Sequence, residues 1–150
     1  MQKITPFLWF DDQLQEAIDF YTGIFRNARI TERHNGPDGR LFTASFELEG
    51  QQFMGLNGGP HFRFTEAISF FVACADQMEV DHYWTRLLDG GTPQQCDWLK
   101  DRFGLSWQIV PEVLMRYLND PDAERAARVQ QAMVTMVKID IEELESAYRE

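Results

Sequence analysis

The sequence predicts an α+β fold, two tandem βαβββ modules with a helical C-terminal extension, and three observations lead there. A strand-then-helix pattern occurs twice. Phe7-Leu8-Trp9-Phe10 runs into Asp12-Gln13 and an amphipathic segment ending Tyr21-Thr22-Gly23-Ile24-Phe25. About 64 residues later, Phe70-Phe71-Val72-Ala73 runs into Asp76-Gln77 and a segment ending Tyr83-Trp84-Thr85-Arg86-Leu87-Leu88, which suggests two copies of one unit. Each copy is followed by shorter strand signals, and residues 111–150 change to helical periodicity. The expected organisation is one domain over 1–150, with a first module at 1–60, a second at 66–110 and the extension at 111–150.

The first module opens with a strand over residues 4–10, apolar on both faces. A helix over about 13–25 follows, because Ala17, Ile18, Tyr21, Ile24 and Phe25 recur at three and four residues. Residues 29–34 alternate as a short strand, and Asn35-Gly36-Pro37-Asp38-Gly39 is a turn. Strands over 41–48 and 51–57 pair across Glu49-Gly50, and the module closes at Gly58-Gly59-Pro60.

In the second module a strand over 67–73 precedes a helix with Val80, Tyr83, Trp84, Leu87 and Leu88 on one stripe. Gly90-Gly91-Thr92-Pro93 ends that helix, with Gly supplying a left-handed cap. Strands over 94–99 and 105–110 are joined by the turn from Lys100 to Gly104, and no short strand before Gln94 is marked. In the extension, Pro111 opens one helix bearing Val113, Leu114, Tyr117 and Leu118. Asp120-Pro121 opens a second, running to about residue 137 with Ala126, Val129, Met133 and Val137 on one side. Asp140-Ile141-Glu142-Glu143 starts a third, which buries Ile141, Leu144 and Tyr148.

Composition narrows the function. The formal charge of −10 disfavours nucleic acid and anionic membrane surfaces, both of which are bound by clustered Lys and Arg. No segment reaches the roughly 20 apolar residues of a membrane span, and Met1 to Pro6 carries no signal-peptide pattern, so a cytoplasmic location is expected. Cys74 and Cys96 fall in unrelated contexts and form no disulfide framework.

Several longer segments carry a family resemblance. Asn57-Gly58-Gly59-Pro60, Ala75-Asp76-Gln77 with Val80-Asp81-His82-Tyr83-Trp84, and the run from Cys96-Asp97-Trp98 through Trp107-Gln108-Ile109-Val110-Pro111 are similar to the PhnB-like subgroup of the vicinal oxygen chelate superfamily. The tail from Asp120-Pro121-Asp122 to Lys138-Ile139-Asp140-Ile141 resembles it too. One departure is Asp97, where relatives usually carry Gly. The subgroup is often labelled 3-demethylubiquinone 3-methyltransferase. A methyltransferase on a doubly wound fold would show a Gly-rich strand-to-helix turn, whereas Gly58-Gly59-Pro60 leads toward a strand.

The resemblance implies two half-open cups that face each other, and metal ligands, where present, on the first and last strand of each module. Those positions here are Thr5, Met54, Ser69 and Gln108, which replace the usual His and Glu. His34, His61 and His82 fall in a turn, a linker and a helix, and His61 stands nearest the mouth of the cup. No metal and no other cofactor is therefore expected. Strand alternation sets Phe7 and Trp9 on the face of Thr5, Leu56 with Met54, Phe71 with Ser69, and Ser106 with Gln108. These residues line an aromatic ligand site with sparse polar groups, or they fill the core. Trp98 is placed to roof the cavity and Trp107 to face the second helix. Asp101, Gln108 and His61 are the candidates for a catalytic role, Asp101 doubling as a turn cap.

The expected function is metal-independent binding of a small aromatic or amphipathic molecule. The alternatives are a lyase, isomerase or methyltransferase-like enzyme of the superfamily, and an interaction role for the tail. A homodimer is expected from the superfamily and from the apolar stripes of the tail.

Overall fold

The computed structural model describes residues 2–150, which divide into two compact units at residues 64 and 65. The first unit holds β1 (Phe7–Phe10), α1 (Leu14–Thr22), β2 (Arg29–Asn35), β3 (Leu41–Leu48) and β4 (Gln51–Asn57). Its four strands lie in the order β1-β4-β3-β2, with β1 parallel to β4 and the other pairs antiparallel. Leu8, Phe10, Ala44, Phe46 and Phe53 are buried on the side of α1, whose Leu14, Ala17, Ile18 and Tyr21 are buried in turn. Gly55 is small for a reason. A Cβ there would stand 2.7 Å from Leu14 Cδ1.

Two boundaries differ from the sequence reading. β1 begins at Phe7, not at residue 4, since Pro6 has no N–H to give and only its carbonyl joins the ladder, accepting the Met54 amide. α1 ends at Thr22, where the Thr22 hydroxyl donates back to the Ile18 carbonyl; Ile24 and Phe25 are buried from the turn beyond it. His34 lies within β2, not in the turn after it.

The second unit holds β5 (Ser69–Cys74), α2 (Gln77–Leu88), β6 (Thr92–Pro93), β7 (Trp98–Lys100), β8 (Ser106–Pro111), α3 (Glu112–Leu118), α4 (Ala123–Met133) and α5 (Ile141–Arg149). The sheet order β5-β8-β7-β6 repeats that of the first unit. Asp76 caps α2 by accepting the Glu79 amide, while Glu79 reaches back to accept the Ala75 amide, a reciprocal cap of the kind that its spacing predicts.

The unmarked strand is the two-residue β6, and it pairs with Lys100 and Leu99. β7 starts at Trp98, not at 94, because Cys96 and Asp97 both take left-handed backbone (φ 56° and 70°) and interrupt the extended run. That strain has a use. The amides of Cys96 and Asp97 point to the tail and donate to the carbonyls of Met136 and Val137. α4 accordingly ends at Met133, not near 137, and its N-cap is Asp122, with Asp120 accepting the Asp122 amide one step earlier. The Gln77 amide side chain clasps the same tail, donating to the Ile139 carbonyl and accepting the Ile141 amide. Val110, Leu114, Val129, Met136, Ile139 and Leu144 form the tail's core.

Candidate functional site

In each sheet one face packs on a helix and the other is turned away from it. Strand register decides which residues share that second face, since directly paired residues point the same way. In the first unit, one rung carries Phe7, Met54 and Ser45, and the next Trp9, Leu56 and Thr43. Phe7 is 52% exposed, while Trp9, Met54 and Leu56 are half-buried. Thr5 lies two residues before β1, outside the ladder. Thr43 and Ser45 are additions that the sequence reading missed. The alternation of β3, with Ala44, Phe46 and Leu48 buried, already pointed them away from α1.

Trp9 explains the glycine pair. Its indole N–H donates to the Gly59 carbonyl at 2.9 Å, and a Cβ on Gly58 would lie 2.3 Å from the Trp9 ring. Phe62 packs edge-on against the same ring at 4.9 Å between centroids, and His61 lies at 6.5 Å. The turn at Gly58-Gly59 therefore seats an indole; it is filled by its own protein and does not fit the cradle of a nucleotide-like cofactor.

In the second unit the corresponding rung is Phe71, Gln108 and Trp98, two aromatic side chains flanking an amide. Phe71 is 51% exposed, as Phe7 is in its own sheet. Gln108 is oriented by Ser69: Gln108 Nε2 donates to Ser69 Oγ at 2.7 Å, which leaves Gln108 Oε1 as the acceptor. The next rung is Ser69, Ser106 and Lys100, and Lys100 pairs with Glu66 at 2.6 Å. The hydrogen bond from Lys100, with its charge, holds the Glu66 carboxyl below the usual range. Ser106 has no exposed area, and its hydroxyl has no partner among the described residues. It forms the floor of this face, not a contact surface. At the far end the face is closed by the tail, since Val110 belongs to the tail's core.

Asp101 is taken up by its turn. Oδ1 accepts the Phe103 and Leu105 amides, and Oδ2 accepts the Trp107 indole N–H at 2.9 Å. With 3% exposure it clamps the β7–β8 hairpin, and its lone pairs are turned inward, away from general-base work. Trp107 is buried, as alternation predicts. Burial pushes the Cys74 thiol up to about 12, which leaves it unreactive at neutral pH. Asp97 is 6% exposed, its Oδ1 has no partner among the described residues, and burial pushes its carboxyl up to about 7.

The superfamily's metal positions do not fit a metal here. Register places Met54 beside Phe7 and Gln108 beside Phe71, so the ladder sets a thioether and an amide where a carboxylate is needed. Among the described residues no three His, Cys, Asp or Glu side chains form a group able to hold a metal ion.

The paired βαβββ sheets have a recognisable class. A family model described as 3-demethylubiquinone-9 3-methyltransferase matches residues 2–110. The chain belongs to this family, the PhnB-like branch of the vicinal oxygen chelate superfamily. It is 31% identical to the PhnB protein from Bacillus cereus, covering 73% of this chain and 99% of that one, with a TM-score of 0.69. A protein from Pseudomonas aeruginosa is 16% identical over 75% of this chain and 98% of its own, with a TM-score of 0.63. The fosfomycin resistance protein FosX from Listeria monocytogenes is 18% identical over 79% of this chain and 98% of its own, with a TM-score of 0.59. These last two likenesses are of fold. No curated protein matches the chain. The family match ends at residue 110, so the tail helices lie beyond it. Among the described residues no helix is long and apolar enough to cross a membrane.

Proposed function

We propose that this protein binds a small, flat aromatic or amphipathic molecule on the helix-free faces of its sheets, through ring contacts and hydrogen bonds and without a metal ion. The observation that carries the reading is the repeated rung. Phe7 beside Met54 and Phe71 beside Gln108 occupy equivalent places, and each phenyl ring is half exposed although nothing in its own unit requires it. Exposed aromatic surface beside a few oriented polar groups is what a small organic ligand needs. Gln108 Oε1, fixed by Ser69, selects a ligand with a hydroxyl or N–H beside its ring.

The family description names methyl transfer to a quinone. The quinone half of that description agrees with a flat ring bearing oxygens; the transfer half receives no support from Gly58-Gly59, whose space Trp9 occupies. The test is calorimetric titration of the EDTA-treated protein with 1-naphthol. Saturable binding, weakened at least tenfold by Phe71→Asp or Gln108→Leu and unchanged by added Zn, Ni or Mn, is the expected result. Binding that appears only with a metal, or that ignores both substitutions, refutes the proposal. Phe71 is exposed enough for the aspartate variant to fold, which circular dichroism checks.

A further inference from the structure

A cavity lies on the helix side of the first sheet, away from the aromatic rungs. It measures about 740 Å³ and is lined by Asp12 just before α1, Gln15 in its first turn, Arg33 of β2, Arg40 and Phe42 around the β2–β3 turn, and Asn57 of β4. Arg33 pairs with Ala44 in the ladder, so it shares the face of the buried Ala44 and not that of the aromatic rungs. The turn that carries Arg40 is closed by its own bonds: the Gly36 amide donates to the Arg40 carbonyl and the Arg40 amide to Asp38 Oδ1. Asn57 fixes the opposite wall, accepting the Leu14 amide and donating to the Leu41 carbonyl.

The cavity wall carries two guanidinium groups and two carboxylates. The chain has 24 acidic and 14 basic residues, so carboxylates are in surplus. Arg29, Arg102, Arg125 and Arg149 each hold one, while Arg26, Arg63 and Arg116 form no ion pair among the described residues. Arg33 and Arg40, both exposed, have no ion-pair partner among the described residues, although Asp12 and Asp38 line the same wall. Phe42 beside them is 49% exposed. Unpaired guanidinium groups present donors suited to an oxyanion, and an exposed ring beside them suits an apolar body.

We propose that this cavity binds a small organic oxyanion, an aromatic carboxylate or phosphate monoester, with its charge on Arg33 and Arg40 and its ring on Phe42. The site is separate from the aromatic rungs. The experiment titrates the full-length, ¹⁵N-labelled protein with benzoate, phenyl phosphate and neutral benzyl alcohol, and follows backbone amide shifts. Saturable shifts at Gln15, Gly36, Arg40 and Phe42 with either anion, absent with the alcohol, are expected. The Arg33→Gln, Arg40→Gln double variant weakens them at least tenfold, and Phe71→Asp leaves them unchanged. Tighter binding of phenyl phosphate than of benzoate assigns the site to phosphate monoesters, and the reverse to carboxylates. No saturable shift up to about 10 mM, a Kd limit above which specific binding is negligible, overturns the proposal. Equal shifts with the alcohol, or an unaffected double variant, overturn it as well.

Discussion

Replacing Asp97 should stabilise the second unit, and more so as pH rises. Burial holds this carboxyl near 7 in the folded chain, against an ordinary 3.8, and no charged neighbour offsets that cost. Below about pH 4 both states are protonated and no cost exists. Between that point and 7 the unfolded chain ionises while the folded chain stays protonated, so folding loses stability with each step in pH. Above 7 the whole cost remains. The gap of about three pH units, at about 1.4 kcal/mol each, makes that cost about 4 kcal/mol. Asp97→Asn keeps the side chain's size and its tolerance of a φ of 70° while removing the charge. Asp97→Gly also removes the left-handed penalty, about 1 kcal/mol, partly offset by the greater freedom of Gly in the unfolded chain. Urea denaturation of the wild type and both variants at pH 5 and pH 8 is the assay. The advantage of Asn over Asp should grow between the two by about 2–3 kcal/mol. An advantage equal at both, or an Asn variant less stable at pH 8, would refute the reasoning and show that Asp97 has an ionic partner.

Two other substitutions test the site's supports. Gly58→Ala drives a Cβ into the Trp9 ring and should cost about 1–3 kcal/mol, with a change in tryptophan emission as the indole leaves the Gly59 carbonyl. Asp101→Ala strands three buried or half-buried donors and should destabilise the β7–β8 hairpin by about 3 kcal/mol or more in denaturant melts; if it instead leaves stability intact and alters ligand binding, Asp101 belongs to the site and not to the turn.

Much of the fold was legible because the repeat is written in apolar periodicity, which strands and helices obey locally. Phe7-Leu8-Trp9-Phe10 is apolar throughout, so strand parity and not hydrophobic pattern set Phe7 and Trp9 on one face, and burial of Leu8 and Phe10 follows that parity. Features set by a single backbone angle or a distant partner were not legible. Cys96 and Asp97 read as strand by composition, yet their positive φ values moved the start of β7 to Trp98. A Gly at position 97, which the family resemblance implies, would take that angle without strain. α4 stopped early because residues 136 and 137 give their carbonyls to that same bend, a contact no local pattern announces. At the site, Ser106 shared the right face but is wholly covered by its neighbours, whereas the turn-cap role of Asp101 was readable from its place in the Lys100–Gly104 turn. Burial depends on what lies above a residue, and alternation reports only which way it points.

The way the tail is fastened has a consequence for how it can change. Its hold on the bend at Cys96 and Asp97 is main chain to main chain, and at Ile139 and Ile141 it is a Gln77 side chain to main chain. Val134 and Val137, on the same stretch, leave much of their surface in water. The Val134 and Val137 side chains are free to drift without loosening the anchorage, whereas a β-branched residue at 96 or 97, which resists positive φ, would unfasten it from the other side. The identity of the tail's surface and the strength of its attachment are thus inherited through different residues, and the first can be rewritten while the second stays fixed.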